Sequence, residues 1–178
     1  MTTPRTWVVG EVVTAALLNV EIRDQFNSLM ALQPTTVVKA ADEAVTSSTT
    51  LQNDNHFAFT LVAGATYVFD GAIFYDGVFN AGNLKASWTL PAATTILWSL
   101  NAPATGGAAA FDSSAVTSGT IAVGTYGTGG AKTTASIKGT VITTTNGGTL
   151  QFQWAQNASN ATATTIYAKS WISLRRVS

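Results

Sequence analysis

This chain of 178 residues carries nine basic and nine acidic residues, a single histidine and no cysteine. Its zero formal net charge argues against electrostatic attraction to nucleic acid or to an acidic membrane surface. The lack of cysteine excludes disulfides, thiolate nucleophiles and thiolate zinc sites. The length fits one compact domain with a small appendage, and the scarcity of charge favours a surface that is partly covered by assembly.

The N-terminal residues do not match the pattern of a signal peptide. Residues 1–10 lack the apolar stretch at the centre of a signal peptide. No segment of the chain approaches the ~20 apolar residues that a membrane-spanning helix needs. We therefore expect no signal peptide and no membrane insertion.

The first predicted element is a helix in residues 1–33, and residues 34–178 form a separate predicted β domain. Thr14 is a suitable N-cap, and Pro34 stops the helix because the residue before proline is pushed out of the helical region. Side chains at alternating steps of three and four form a predicted seam for self-association, namely Ala15, Leu18, Ile22, Gln25, Leu29 and Leu32. A single amphipathic helix packed on its own domain fits the same pattern, so both interpretations stay open.

From Thr35 onward the apolar period changes to two, which is typical of half-buried strands. The predicted strands lie around residues 57–61, 67–74, 84–90, 140–145, 149–156 and 164–177. The turn at Asn146-Gly147-Gly148 predicts a hairpin between the strands on either side of it. The segment Asn101–Gly130 is predicted to be a long loop, with one short strand candidate at Gly119–Val123. This pattern predicts an all-β sandwich or barrel.

Several predicted strands carry large apolar residues on both faces, which a sheet with one solvated face should not do. The second face would pack against another subunit, or loops or the N-terminal helix would cover it. The predicted residues of this β-domain core and interface are Phe57, Phe59, Tyr67, Phe69, Phe74, Trp88, Phe152, Trp154, Tyr167 and Trp171.

Few residues are candidates for chemistry. His56 follows Asp54, which could form half of a general-base pair, but a histidine at a strand edge beside a turn is the simpler interpretation. The scattered acids Asp42, Glu43, Asp70, Asp76 and Asp112 form no calcium-binding loop. Asp70 and Asp76 are interpreted as one acid at a strand end and one in a turn. We expect no catalytic residue, no metal site and no cofactor.

The N-terminal segment has a distinctive pattern, formed by Thr6 to Asn19 (TWVVGEVVTAALLN), then Ile22-Arg23-Asp24 and Leu29. On these residues the sequence resembles the virion structural proteins of tailed phages, especially those of actinobacterial hosts. The β domain adds weaker similarity at Ala63 to Tyr67, Phe69 to Tyr75, Trp88 to Pro91, Gln153 to Asn157, and Ser170 to Ile172. The resemblance covers most of the chain.

The resemblance implies an antiparallel jelly-roll β-sandwich of the TNF/C1q type, mainly β, preceded by a short segment with one α-helix. It implies a non-enzymatic homotrimer of the minor tail or fibre type, made in the host cytoplasm and located in the virion. Virion docking through the N-terminal arm would use Trp7, Val8, Val9, Val12 and Val13. The alternative is a trimeric capsid decoration or head-fibre protein. The expected partners are the chain itself and other tail or capsid proteins.

Two further expectations concern the host surface. The Asn101–Gly130 loop would lie distally and contact the host, and deletion of Ala104–Ser118 would then abolish adsorption. An exposed tryptophan such as Trp98 would stack on a surface carbohydrate.

Overall fold

The computed structural model describes residues 5–105, 111–112, 115–117, 119–127 and 131–178. The chain divides into two compact units, Met1–Pro34 and Thr35–Ser178. Each unit is described by itself below.

The first unit contains a short helical segment whose middle turn is widened. It consists of helix α1 (Ala15–Leu18), a π-helical turn (Asn19–Arg23) and helix α2 (Asp24–Ala31). The hydroxyl of Thr14 accepts a hydrogen bond of 3.2 Å from the Leu17 N–H, which confirms the predicted N-cap. The helix ends at Ala31, before Pro34.

The π-helical turn affects the predicted seam. The Asp24 N–H donates to the carbonyl of Asn19, five residues back, rather than to a carbonyl four residues back. Such a turn contains one extra residue. The side chains after it are therefore rotated about the helix axis relative to their positions in a regular α-helix. Leu18 before the turn and Gln25 after it therefore do not continue one straight a/d line. Self-association through this seam remains a prediction.

The second unit is built from strands. In chain order the described strands are β1 Thr35–Val38, β2 Glu43–Val45, β3 Gln52–Leu61, β4 Thr66–Asp76, β5 Leu84–Thr89, β6 Thr94–Pro103, β7 Phe111–Asp112, β8 Ala115–Val116, β9 Ile121–Val123, β10 Thr133–Thr143, β11 Gly148–Gln156, β12 Thr164–Ile166 and β13 Trp171–Arg176. Alternating burial along β3, β4 and β11 matches the predicted strand faces.

Within the described residues, the strands form one sheet of nine and one of four, all antiparallel. The larger sheet has the path β1-β13-β4-β10-β6-β7, with β12, β2 and β8 attached beside it, and the smaller sheet has the order β3-β11-β5-β9. From β3 to β6, and again from β9 to β12, the chain changes sheet at every step. This wrapping produces a jelly-roll β-sandwich, and the predicted fold class is confirmed.

Three predictions about connections are wrong. The chain on either side of Asn146 does not form a hairpin, because β10 belongs to the larger sheet and β11 to the smaller one. The final run is not one strand, since Lys169 adopts a φ of 72° in a turn between β12 and β13. The Asn101–Gly130 segment is not one long loop, because β6 extends to Pro103 and pairs with β7 and β8. The strand candidate at Gly119–Val123 is confirmed, since β9 lies within it and pairs with β5. Most of Ala104–Ser118, the predicted host-contact segment, lies outside the described residues.

Aromatic side chains join the two sheets across the core. The Trp88 ring, from the smaller sheet, makes edge contacts with Phe69 and Trp98 of the larger sheet, at centroid distances of 5.2 and 6.4 Å. Trp88 also contacts Phe152 on its own sheet at 5.1 Å. Each such pair contributes about 0.5–1.5 kcal/mol beyond the burial of its area, so this cluster is a major source of cohesion between the sheets.

Candidate functional site

The acids considered as cation ligands are spread through the β unit. Asp70 is exposed in the middle of β4 rather than in a turn, which corrects its predicted place. Asp76 ends β4 and accepts a hydrogen bond of 2.6 Å from the Tyr167 hydroxyl. Asp42 accepts from the Ala168 N–H at 2.7 Å. The side chain of Asp112 lies outside the described residues. These acids do not converge on a common site within the part of the chain that the structure describes.

His56 lies inside a strand and belongs to a cluster that the sequence did not reveal. Its predicted place at a strand edge beside a turn is wrong, because β3 runs from Gln52 to Leu61. Within β3, the four residues between Asn53 and Ala58 face a single residue of β11, which defines a bulge. The Gln151 amide of β11 donates to the carbonyls of Asp54 and Phe57, at 2.9 and 3.2 Å, and so holds the bulge in place.

The centre of this cluster is the ammonium group of Lys39. The Lys39 side chain is fully buried, and its Nζ lies 2.7 Å from both Asp54 Oδ2 and Glu43 Oε2. His56 Nδ1 is 3.4 Å from the same atom. Glu43, Asp54 and His56 offer atoms within 4.8 Å of one another that could hold a metal ion. The Lys39 ammonium already makes the charged contacts that such an ion would make, so the geometry does not favour a metal there.

The outer face of the nine-stranded sheet carries exposed apolar side chains. In its centre, neighbouring strands place Val68 of β4 beside Thr140 of β10, and Thr140 beside Leu97 of β6. Leu97 is 52% exposed, and Ile142, on the same face, is 44% exposed. Near β1, the half-buried Trp171 lies between Val38 and Ala72.

This face is also concave. One open depression is lined by outward side chains of β4, β6 and β10, with Gly139 at its floor. A second depression shares Leu97 and Thr140 with the first and continues to Ile142 and Thr117. The two depressions therefore form one continuous surface, which we call the outer groove, lined by Val68, Asp70, Thr95, Leu97, Ser99, Thr117, Lys138, Thr140 and Ile142.

The outer face of the four-stranded sheet is polar by contrast. Its central strand β11 presents Thr149, Gln151 and Gln153, and their neighbours on β5 include Ser87 and Thr89. A sandwich with both outer faces in water would carry polar side chains on both. The two faces therefore differ in the way expected when only the larger sheet is covered in an assembly.

The predicted core and interface residues divide into two groups. Seven are buried in the core, namely Phe57, Phe59, Tyr67, Phe69, Trp88, Phe152 and Trp154. Three are half-buried, namely Phe74, Tyr167 and Trp171. Trp98 is only 2% exposed, so it cannot stack on a carbohydrate and that expectation is wrong. The exposed Leu97 and Ile142 were missed, although their alternation with Ile96 and Val141 was a signal for a second apolar face.

The predicted docking arm is exposed along its length. Trp7, Val8, Val9, Val12 and Val13 are all exposed in the first unit. The Arg5 guanidinium lies 5.1 Å from the centre of the Trp7 ring and pairs with Glu11. Ala15, Leu18, Ile22, Leu29 and Leu32 of the predicted seam are exposed too, and Gln25 is half-buried. Val20, Phe26 and Met30, which lie outside the predicted seam, are also exposed apolar residues of this helical segment.

Comparison with known proteins adds only remote similarity. No known protein family matches the chain, and no curated protein matches it. Among solved structures, the infectious bursal disease virus VP2 subviral particle matches with 8% identity and a TM-score of 0.23, over 82% of this chain and 41% of that one. The Gt strain of the same virus matches with 10% identity and a TM-score of 0.20, over 82% and 42%.

The chain spans about two fifths of the length of those two viral proteins. TM-scores this low define neither the fold nor the function of the chain. Among the described residues, no helix combines the length and apolar character required to cross a bilayer.

Proposed function

We propose that this chain is a non-enzymatic structural protein of a tailed-phage virion, of the minor tail or fibre type, that assembles as a homotrimer. The observation that supports the proposed homotrimer is the difference between the two outer faces of the sandwich. Leu97 and Ile142 are exposed on one face, whereas Gln151 and Gln153 occupy the other. Obligate interfaces are rich in apolar side chains, and of the two described sheets the larger one offers such a surface.

The N-terminal unit is the proposed attachment to the virion. Its arm, from Trp7 to Val13, and its helical segment expose apolar side chains. Exposed apolar patches of this kind mark surfaces that bind other proteins. The likeness of Thr6 to Asn19 to the N-terminal segment of tailed-phage virion proteins supports a tail or capsid protein as the partner. A capsid decoration or head-fibre trimer would use the same two surfaces.

The test is a single charge placed on each outer face. Leu97→Lys puts an ammonium group into the proposed interface, and burial of an unpaired charge costs several kcal/mol. Gln151→Lys is the matched control, since it places the same group on the polar face. We expect light scattering to give three times the 18.5 kDa chain mass for the native protein and the control, and a smaller mass for Leu97→Lys.

Two outcomes would contradict the proposal. If the native protein is a monomer, the proposed trimer does not form. If Gln151→Lys dissociates the trimer and Leu97→Lys does not, the interface lies on the smaller sheet instead. Circular dichroism of both variants checks that the sandwich is intact.

A further inference from the structure

Lys39 and Asp54 form a buried pair that bridges the two sheets. Lys39 directly follows β1 of the larger sheet, and Asp54 lies in β3 of the smaller one. Both side chains are fully buried, with Nζ 2.7 Å from Oδ2. The backbone of Lys39 is fixed on both sides, since its N–H donates to Ser170 O and its carbonyl accepts from the Lys169 N–H. The amine and the carboxyl are thus held in contact.

The other oxygen of Asp54 lies in a site built for negative charge. Oδ1 accepts hydrogen bonds from the backbone N–H groups of His56 and Phe57, at 2.9 and 3.1 Å. The bulge in β3 makes these two N–H groups available to the side chain. Preorganised backbone donors of this kind stabilise the oxyanion that forms when a nucleophile attacks a carboxyl carbon.

A second carboxylate touches the same amine. Glu43 Oε2 lies 2.7 Å from Lys39 Nζ and accepts a further hydrogen bond of 3.2 Å from the Asn55 N–H. Its side chain is 11% exposed. The buried Phe57 ring lies 5.8 Å from Nζ and covers the amine on another side. Glu43 is therefore placed to carry a proton between the amine and the carboxyl in surroundings that largely exclude water.

We propose that Lys39 and Asp54 condense spontaneously to an isopeptide bond, with Glu43 as the proton carrier. Transfer of one ammonium proton to Oδ2 gives the neutral amine and the carboxylic acid. The amine attacks Cγ, and Oδ1 bears the negative charge of the tetrahedral intermediate. Glu43 takes a proton from Nζ and delivers it to the departing Oδ2. The Cγ–Oδ2 bond breaks, one water leaves and the amide remains.

The bond would give the sandwich a covalent link at the point where the N-terminal unit joins it. Lys39 lies five residues after Pro34, the last residue of the first unit. Under the proposed virion attachment, force applied to the arm reaches β1 first. An isopeptide bond carries that force directly to the smaller sheet, without relying on the hydrogen bonds between β1 and β13. The link itself does not depend on the proposed function.

The first test is the intact mass of the denatured native protein. We expect a mass lower than the sequence mass by one water, about 18 Da. Succinimide formation at Asp70-Gly71 or Asp76-Gly77 would cause the same loss, so the position of the change must be determined. An unchanged mass overturns the proposal and leaves Lys39 in an ordinary buried ion pair.

Digestion locates the link. Trypsin cleaves an unlinked chain after Lys39, whereas the linked chain stays intact from Asp24 to Lys85. Subsequent cleavage after Glu43 opens the loop, and the two resulting peptides stay joined through Lys39 and Asp54. Cleavage after Lys39 together with a mass loss within residues 40–85 overturns the proposal.

Two variants separate the reaction from folding. Glu43→Gln removes the proton carrier but keeps the size of the side chain, and it should retain the full sequence mass in a folded protein. Lys39→Arg keeps the positive charge and should also retain the full mass. Lys132→Arg, at an exposed lysine outside the outer groove, is the matched control and should still lose one water. Loss of water by Lys39→Arg, confirmed in digests, would contradict the assignment.

Discussion

At the scale of single residues, Tyr75 shows how burial controls a titration. Tyr75 is fully buried in β4, and its hydroxyl donates a hydrogen bond of 2.6 Å to the carbonyl of Gly124. Burial raises the pKa of this hydroxyl above its ordinary value, and the nearby Tyr126 raises it further. The folded protein therefore holds the Tyr75 proton at a pH where the unfolded chain releases it.

This raised pKa predicts a loss of stability in alkaline solution. The contribution is fully present below about pH 10, the ordinary tyrosine pKa, and falls above it by about 1.4 kcal/mol per pH unit. Tyr75→Phe should be less stable at neutral pH by about 1 kcal/mol, because Gly124 O loses its donor. The variant should also show a shallower decline above pH 10. Urea unfolding between about pH 8 and 11, on either side of the ordinary tyrosine pKa, measures both the loss of stability and its change with pH.

The control for this prediction is Tyr126→Phe, which leaves the Tyr75 hydroxyl in place and should retain the steep decline. Equal slopes for the native protein and Tyr75→Phe would contradict the assignment to Tyr75.

At the scale of elements, the turn between β12 and β13 carries backbone strain. Lys169 is exposed and adopts a φ of 72°, a left-handed conformation that costs about 1–2 kcal/mol for a residue with a Cβ atom. The turn also fixes β1, since the Lys169 N–H donates to Lys39 O at 2.8 Å. Sequence alternation continued through this position, which is why the two strands were predicted as one.

Relief of this strain should stabilise the protein. Lys169→Gly removes the steric cost but adds about 0.5–1 kcal/mol of chain entropy to the unfolded state, so we expect a net gain of up to about 1.5 kcal/mol. Lys85→Gly, in the extended strand β5 and outside the outer groove, is the matched control and should lose about 0.5–1 kcal/mol. Urea unfolding of both variants compares them. A destabilised Lys169→Gly protein would show that the turn is not strained.

At the scale of the whole molecule, the core belongs to the second unit alone. The buried apolar residues of the described chain run from Val45 to Leu174, and the helical segment of the first unit contributes none. The apolar outer groove lies in the second unit as well. The residues of the core and those of the proposed trimer contact therefore all follow Pro34 in the sequence.

A chain that starts at Thr35 should fold and remain a trimer. We expect its far-ultraviolet dichroism to keep the β signal and its scattering mass to correspond to three chains, because it retains both the core and the outer groove. A trimer in the full chain only would assign the contact to the seam from Ala15 to Leu32. A monomer in both cases would contradict the trimer itself.

Local sequence patterns were sufficient to predict the class of fold and several of the long strands. Alternation along residues 57–61, 67–74 and 84–90 reports which side of a strand is buried, because successive side chains point to opposite faces. The helix start at Thr14 was predictable for a similar local reason, since the capping hydroxyl lies three residues before the N–H it accepts from. Strand faces and helix caps depend on residues close together in sequence, and they could therefore be predicted from the sequence.

Strand pairing and the contacts between distant side chains depend on how the whole chain packs, and local sequence patterns did not reveal them. Asn146-Gly147-Gly148 specifies a change of direction but not the sheet that the next strand joins, so β10 and β11 were wrongly paired. Lys39 and Asp54 are 15 residues apart; Lys39 directly follows a strand of the larger sheet, and Asp54 lies in a strand of the smaller one. No local pattern marks them as a pair, because their contact arises from the packing of one sheet on the other.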